Sequence, residues 1–217
     1  MRMTGVARLV VGVVLGIAAG AGCSAPTKLE SASGGAAAAG ATYRRPLVVG
    51  IARSPEARRQ VEEAFKKELN DRGVDAVPSL DYLPETRQAN ERTCEAVVRN
   101  SKADAILLTR LAKVERRADA EAAGAARAEA ASPPADAKGS FGLYAWAWNG
   151  VYDPPQVYAV DSAVLETYLV DARTSAIVWR GATRVSDPTK VRQAATDVAR
   201  EVVGDLIKRG LVPGVKR

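Results

Sequence analysis

Hydrophobic and polar positions after residue 43 alternate in runs that predict strands and helices in turn. Leu47-Val48-Val49-Gly50-Ile51-Ala52 is a continuous apolar run and reads as a buried strand. Ser54-Pro55-Glu56 follows with an N-cap, a proline at the first helical position and an acid in the first turn. Val61, Ala64, Phe65 and Leu69 then recur at helical spacing, with Arg58, Glu62, Lys66 and Lys67 expected to face water. Gly73 closes this helix, and Val74 to Val77 forms a short strand ending at Pro78. A second helix is expected from Pro84 to Ser101, with Cys94, Val97, Val98 and Ser101 on one side. A third strand, Ala103 to Leu111, is apolar on both faces at Ile106 to Leu108 and runs into the more polar Ala112 to Arg117. Strands and helices in this order argue for a βαβαβ unit sharing one sheet.

The pattern breaks at Ala118 to Lys138, an Ala-rich charged stretch with Ser132-Pro133-Pro134, read as a surface insertion. Next comes an aromatic loop, Gly139 to Tyr158, holding Phe141, Tyr144, Trp146, Trp148, Tyr152 and Tyr158. Its glycines and prolines argue against a regular element, except around Tyr144 to Trp148. There, alternation would place three rings on one strand face. Val160 to Val170 and Ala176 to Val185 read as a hairpin joined by Asp171 to Ser175. Ile177, Trp179 and Val185 share one face of its second strand, and Arg180 and Arg184 the other. Asp187-Pro188 starts the last helix, with Val191, Ala195, Val198, Val202 and Leu206 as its apolar stripe and Gly210 at its end. The expected fold is α/β (α+β), a single domain over residues 44–212. Its order is β-α-β-α-β-β-β-α, with a mixed sheet and helices packed mainly on one face.

The N-terminus adds a location. Arg2 and Arg8 precede an apolar run from Leu9 to Ala21, the layout of a secretory signal. The run is shorter than the ~20 residues a spanning helix needs. Gly20-Ala21-Gly22-Cys23 resembles the bacterial lipobox, with Gly20 where leucine is usual. Residues 1–22 are therefore expected to be a lipoprotein signal peptide and Cys23 the lipidated first residue of the mature chain. An ordinary cleavage near Ala19 to Ala21 is the alternative. One acyl chain holds a protein only marginally, so the two or three chains of such an anchor matter. Ser24 after the cysteine points to the outer membrane. Residues 23–43, small and Gly/Ala-rich, read as a flexible tether. The twenty residues from Ser24 to Tyr43 would give a mean reach of roughly 25 Å.

Charge and inventory narrow the chemistry. The chain of 217 residues carries 31 Lys+Arg and 25 Asp+Glu, a net +6 that falls to +4 without Arg2 and Arg8. The basic residues are scattered among acids, so no nucleic-acid footprint is expected. There is no histidine, and Cys23 and Cys94 are the two cysteines. Histidine triads, His-based metal sites and zinc-cysteine clusters are excluded, and no cofactor is expected. With Cys23 lipidated no intramolecular disulfide can form. Cys94 reads as a core residue, since no histidine can activate it. The strand-to-helix turn at Ser54 lacks any glycine-rich phosphate motif and reads as an ordinary turn.

As a set, several segments are similar to a group of uncharacterised bacterial lipoproteins. They are Arg58-Arg59-Gln60-Val61-Glu62, Gly73 to Ser79, Ala103 to Leu107, Leu165 to Ala172 and Val178-Trp179-Arg180-Gly181. The layout also looks like the small α/β domains of envelope lipoproteins such as the TolB N-terminal domain and CsgG, a likeness at the level of fold. The resemblance implies a cell-envelope lipoprotein and brings no activity with it.

Three functional readings follow. The first is a non-enzymatic binding or assembly factor, lipid-anchored (palmitate included) on the periplasmic face of the outer membrane. It would meet an envelope protein partner through Tyr144, Trp146, Trp148 and Tyr152. The same aromatic loop could instead cover the sheet. The second is a membrane-surface-binding module using those rings at the bilayer interface. The third is an envelope-polymer hydrolase using carboxylates such as Asp161 and Glu166. Strand alternation puts those two on opposite faces, and Glu166 is expected to pair with Arg110 or Arg180 instead.

Overall fold

The structure, a computed structural model, describes residues 27–35, 40–83, 89–115, 130–151 and 162–214. Six strands form one mixed sheet: β1 (Lys28–Gly34), β2 (Pro46–Ile51), β3 (Val77–Pro78), β4 (Ala105–Glu115), β5 (Ser162–Asp171) and β6 (Ile177–Ser186). Their spatial order is β1-β6-β5-β4-β2-β3. β2 runs parallel to β3 and β4, and the remaining pairs are antiparallel. Four helices join them: α1 (Pro55–Asn70), α2 (Glu91–Ser101), α3 (Gly139–Asn149) and α4 (Val191–Lys208). The expected single mixed α+β domain, its βαβαβ start and its closing hairpin are all present.

Helix starts follow local chemistry. Ser54 Oγ accepts from Ala57 N–H, with Pro55 and Glu56 behind it as the sequence suggests. α2 starts at Glu91, where Asn90 Oδ1 accepts from the backbone and hydroxyl of Thr93. α4 starts at Val191, later than the Asp187-Pro188 expectation. Asp187 takes φ 59° and turns its carboxylate to Lys190 Nζ at 2.7 Å, building a turn ahead of the helix.

The sheet is covered on both sides, not mainly on one. Val48, Leu107, Leu169 and Trp179 face α1 and α4, meeting Phe65, Leu69, Val198 and Leu206. Leu47, Leu108, Tyr168 and Val170 face α2 and α3, meeting Val97, Leu143 and Ala147. Strand residues alternate between the two sets because successive side chains point to opposite faces. β2 is buried throughout, and a central strand that is apolar on both faces requires cover on both.

Two further expectations are corrected. The stretch read as a flexible tether contains β1, which pairs antiparallel with β6 from Lys28↔Arg184 to Gly34↔Trp179. An edge strand draws its stability from backbone pairing, so a small, polar composition does not forbid it. Leu29 and Ala32 also pack on the core, and Glu30 Oε1 receives Arg184 Nε at 2.7 Å. Ile177 does not share a face with Trp179. A bulge at Val178 sets Leu169 opposite Trp179 but Val170 opposite Ile177, turning Ile177 to the α2/α3 side.

Trp179 is fully buried, and its six-membered ring lies where a Cβ on Gly181 would sit, 2.5 Å away. Gly181→Ala is therefore expected to cost about 1–3 kcal/mol through overpacking. The urea midpoint tests this. An unchanged midpoint would mean the indole has room to move.

Candidate functional site

On the α2/α3 face, β4 and β5 bring Arg110 opposite Glu166. The Arg110 guanidinium donates to Glu166 Oε2 from Nε at 3.0 Å and Nη2 at 2.9 Å. Of the two partners expected for Glu166, Arg110 is the one it meets, while Arg180 donates to Ser33 and Ser132. Glu166 Oε1 accepts from Ala131 N–H at 3.0 Å. The Tyr168 hydroxyl lies 2.9 Å from Glu166 Oε2 and 3.0 Å from the Ala131 carbonyl. Burial, followed by the Glu166 charge, pushes the Tyr168 hydroxyl far above its ordinary pKa.

The aromatic segment closes over this pair as helix α3, not as a strand. Trp146 stacks its ring on Arg110 with the guanidinium 4.0 Å from the centroid, and meets Tyr168 edge-on at 5.6 Å. Tyr144 and Trp148, one turn apart, stack at 6.2 Å. Tyr144 is buried and its hydroxyl accepts from Ala89 N–H; Trp146 and Trp148 are half-buried against the core. The buried positions Leu143, Tyr144 and Ala147 follow helical spacing, which the alternation of rings disguised. Cys23, Tyr152 and Asp161 lie outside the described residues, as does most of the Ala-rich insertion.

A second buried charge cluster sits under the start of α1. Arg58 and Glu62, expected on the surface, are 2% and 0% exposed. Glu62 Oε1 accepts from Gly50 N–H at 3.1 Å, Arg58 Nε at 2.9 Å and Ser79 Oγ at 2.7 Å. Its Oε2 accepts from Leu80 N–H at 2.8 Å. Arg58 Nη2 reaches the Leu83 carbonyl at 2.8 Å. Gly50 makes room: a Cβ there would lie 3.2 Å from the Arg58 carbonyl and 3.4 Å from Glu62 Cγ. The spacing of Arg58 and Glu62, four apart on a helix, is equally that of a surface pair. Only the glycine in an apolar strand hinted otherwise.

At the end of the sheet where β2 and β4 finish, a cleft of about 410 Å³ opens between the N-terminal turns of α1 and α4. Ile51, Val61, Leu111, Val114, Leu165 and Val185 line it. Among the described residues, the charged ones that line it are Arg53 and Arg110. Sequence reasoning missed this cleft, because its wall is assembled from six separate elements, β2, α1, β4, β5, β6 and α4.

Cys94 packs half-buried against the α2/α3 core, and burial, then Glu91, pushes its thiol up to about 11. Iodoacetamide at pH 8 should alkylate it on the order of a hundredfold more slowly than in the unfolded chain, measured with Cys23→Ser. Equal rates would contradict the packing. The raised thiol pKa also favours the fold below the thiol's ordinary value of 9.0. That contribution fades as pH climbs toward about 11.

No protein-family model and no curated protein matches the chain. Solved structures do show similarity. A variant PelC dodecamer from Paraburkholderia phytofirmans aligns at TM-score 0.41 and 13% identity, covering 81% of this chain and 98% of that one. Another PelC dodecamer from the same organism aligns at 0.40 and 12%, covering 86% and 98%. The lipoprotein GNA1162 from Neisseria meningitidis aligns at 0.38 and 12%, covering 76% and 98%. Among the described residues no helix is long and apolar enough to cross a membrane.

Proposed function

We propose that this chain is a lipoprotein of the cell envelope, held by acyl chains on Cys23, that works by binding and assembly, with no reaction of its own. Residues 1–22 would be its signal peptide and the periplasmic face of the outer membrane its site. The observation that carries the non-enzymatic reading is the state of its buried carboxylates. Glu62 and Glu166 are each held by an arginine and by backbone N–H donors, so neither is available as a general base. The cleft beside them is lined mainly by apolar side chains among the described residues, which suits binding. The hydrolase alternative would need one of these carboxylates released. The interface reading of Tyr144, Trp146 and Trp148 is weakened by their packing roles.

Cell fractionation tests the anchor. Wild-type protein should sediment with membranes, whereas Cys23→Ser should move to the soluble envelope fraction with its circular dichroism unchanged. Both forms sedimenting alike would count against the reading.

A further inference from the structure

The end of the sheet that carries the cleft is also the end from which the chain leaves toward Cys23. Lys28, the first residue of β1, pairs with Arg184, and the next residue of β6, Val185, lines the cleft. Ala163, which pairs with Val185, lines it too. Four residues lie between Cys23 and Lys28, and the five extended steps joining them span at most about 18 Å. With β1 in the sheet, the long tether expected from composition is gone. A lipid on Cys23 would hold this end of the domain, and not the other, close to the bilayer.

The same end is apolar where it is open. Val191, at the cleft rim, is 39% exposed, and is the only large hydrophobic so exposed among the described residues. Exposed basic residues lie on the elements at this end: Lys28 opposite Arg184 at the start of β1, Arg53 in the cleft lining, and Lys190 and Arg192 on either side of Val191. Glu56 and Asp187 share the region, and Asp187 is paired with Lys190. An apolar slot at the end held nearest the bilayer, with Lys190 and Arg192 flanking Val191, suits a lipid with its chain inward and an anionic headgroup at the edge.

We infer that the cleft takes an acyl chain of a membrane phospholipid, and that the domain lies with this end of its sheet against the bilayer. The inference rests on the proposed lipidation of Cys23. It deepens that reading by assigning the domain an orientation and a ligand class.

Photo-crosslinking of the full lipidated chain in phosphatidylethanolamine–phosphatidylglycerol vesicles tests it. A benzoylphenylalanine probe at Val191 should add the mass of one phospholipid. The same probe at Thr174, in the β5–β6 loop at the far end of the sheet, should add none. Adducts at Val191 within the chain, to its own anchor or to a second copy would overturn the inference, as would equal lipid adducts at both positions. The N-terminal peptide of the same sample separates the two claims. An acylated Cys23 with no phospholipid adduct at Val191 removes the cleft assignment alone, whereas an unacylated Cys23 removes both.

Discussion

Glu62→Leu is expected to cost the domain about 3–5 kcal/mol, the usual effect of removing one partner of a buried ion pair. The side chain is nearly conserved in size, so the loss comes from what is left behind. Arg58, 2% exposed, would keep its charge in the interior without the carboxylate. The Gly50 and Leu80 N–H groups would lose their acceptor as well. Domains of this size have about 5–15 kcal/mol in total, so much of the margin would go. With a slope of about 2 kcal/mol per molar urea, the unfolding midpoint should fall by roughly 2 M. Arg58→Met combined with Glu62→Leu should recover most of the loss, because no unpaired charge remains. If the double variant is as weak as the single, the cluster acts through shape and not through charge.

Trp179→Ala should be comparably severe, about 3–5 kcal/mol. The indole is fully buried between β6 and α4, among the residues that join the sheet to that helix. Its N–H also donates to Asp205 Oδ2 at 2.9 Å. Asp205 would keep Arg209, whose Nε lies 2.6 Å away, so the cost should come mainly from the cavity. Trp179→Phe separates the two contributions: it should restore much of the packing and lose only the hydrogen bond. A Trp179→Ala variant within about 1 kcal/mol of wild type would contradict the packing described, since losses that small belong to sites that can collapse.

The sequence carried more of the fold than of the site. Apolar runs at Leu47 to Ala52 and Ile106 to Leu108 marked strands buried on both faces, and the Ser54-Pro55 cap marked the start of α1. Strand alternation was enough to give Glu166 a strand arginine, Arg110 or Arg180, and the register of β4 on β5 decides for Arg110. Three features were not legible, for separate reasons. β1 is held by backbone bonds along β6 and by Arg184, neither of which leaves an apolar pattern in residues 28–34. The α3 rings at 144, 146 and 148 have period two, which imitates a strand. Their packing partners Leu143 and Ala147 carry the helical period that decides. The burial of Arg58 and Glu62 depends on the backbone of Gly50 and Leu80 arriving from elsewhere in the chain, information no local window contains. The cleft is illegible for the same reason.

The account stands most directly on Cys23, and the intact mass of the N-terminal peptide from membrane-extracted protein addresses it. The predicted result is a peptide beginning at Cys23 and carrying diacylglycerol plus an amide-linked acyl chain. A peptide beginning near Ala19 to Gly22 with an unmodified Cys23 thiol would contradict the anchor, and with it the orientation of the domain on the membrane.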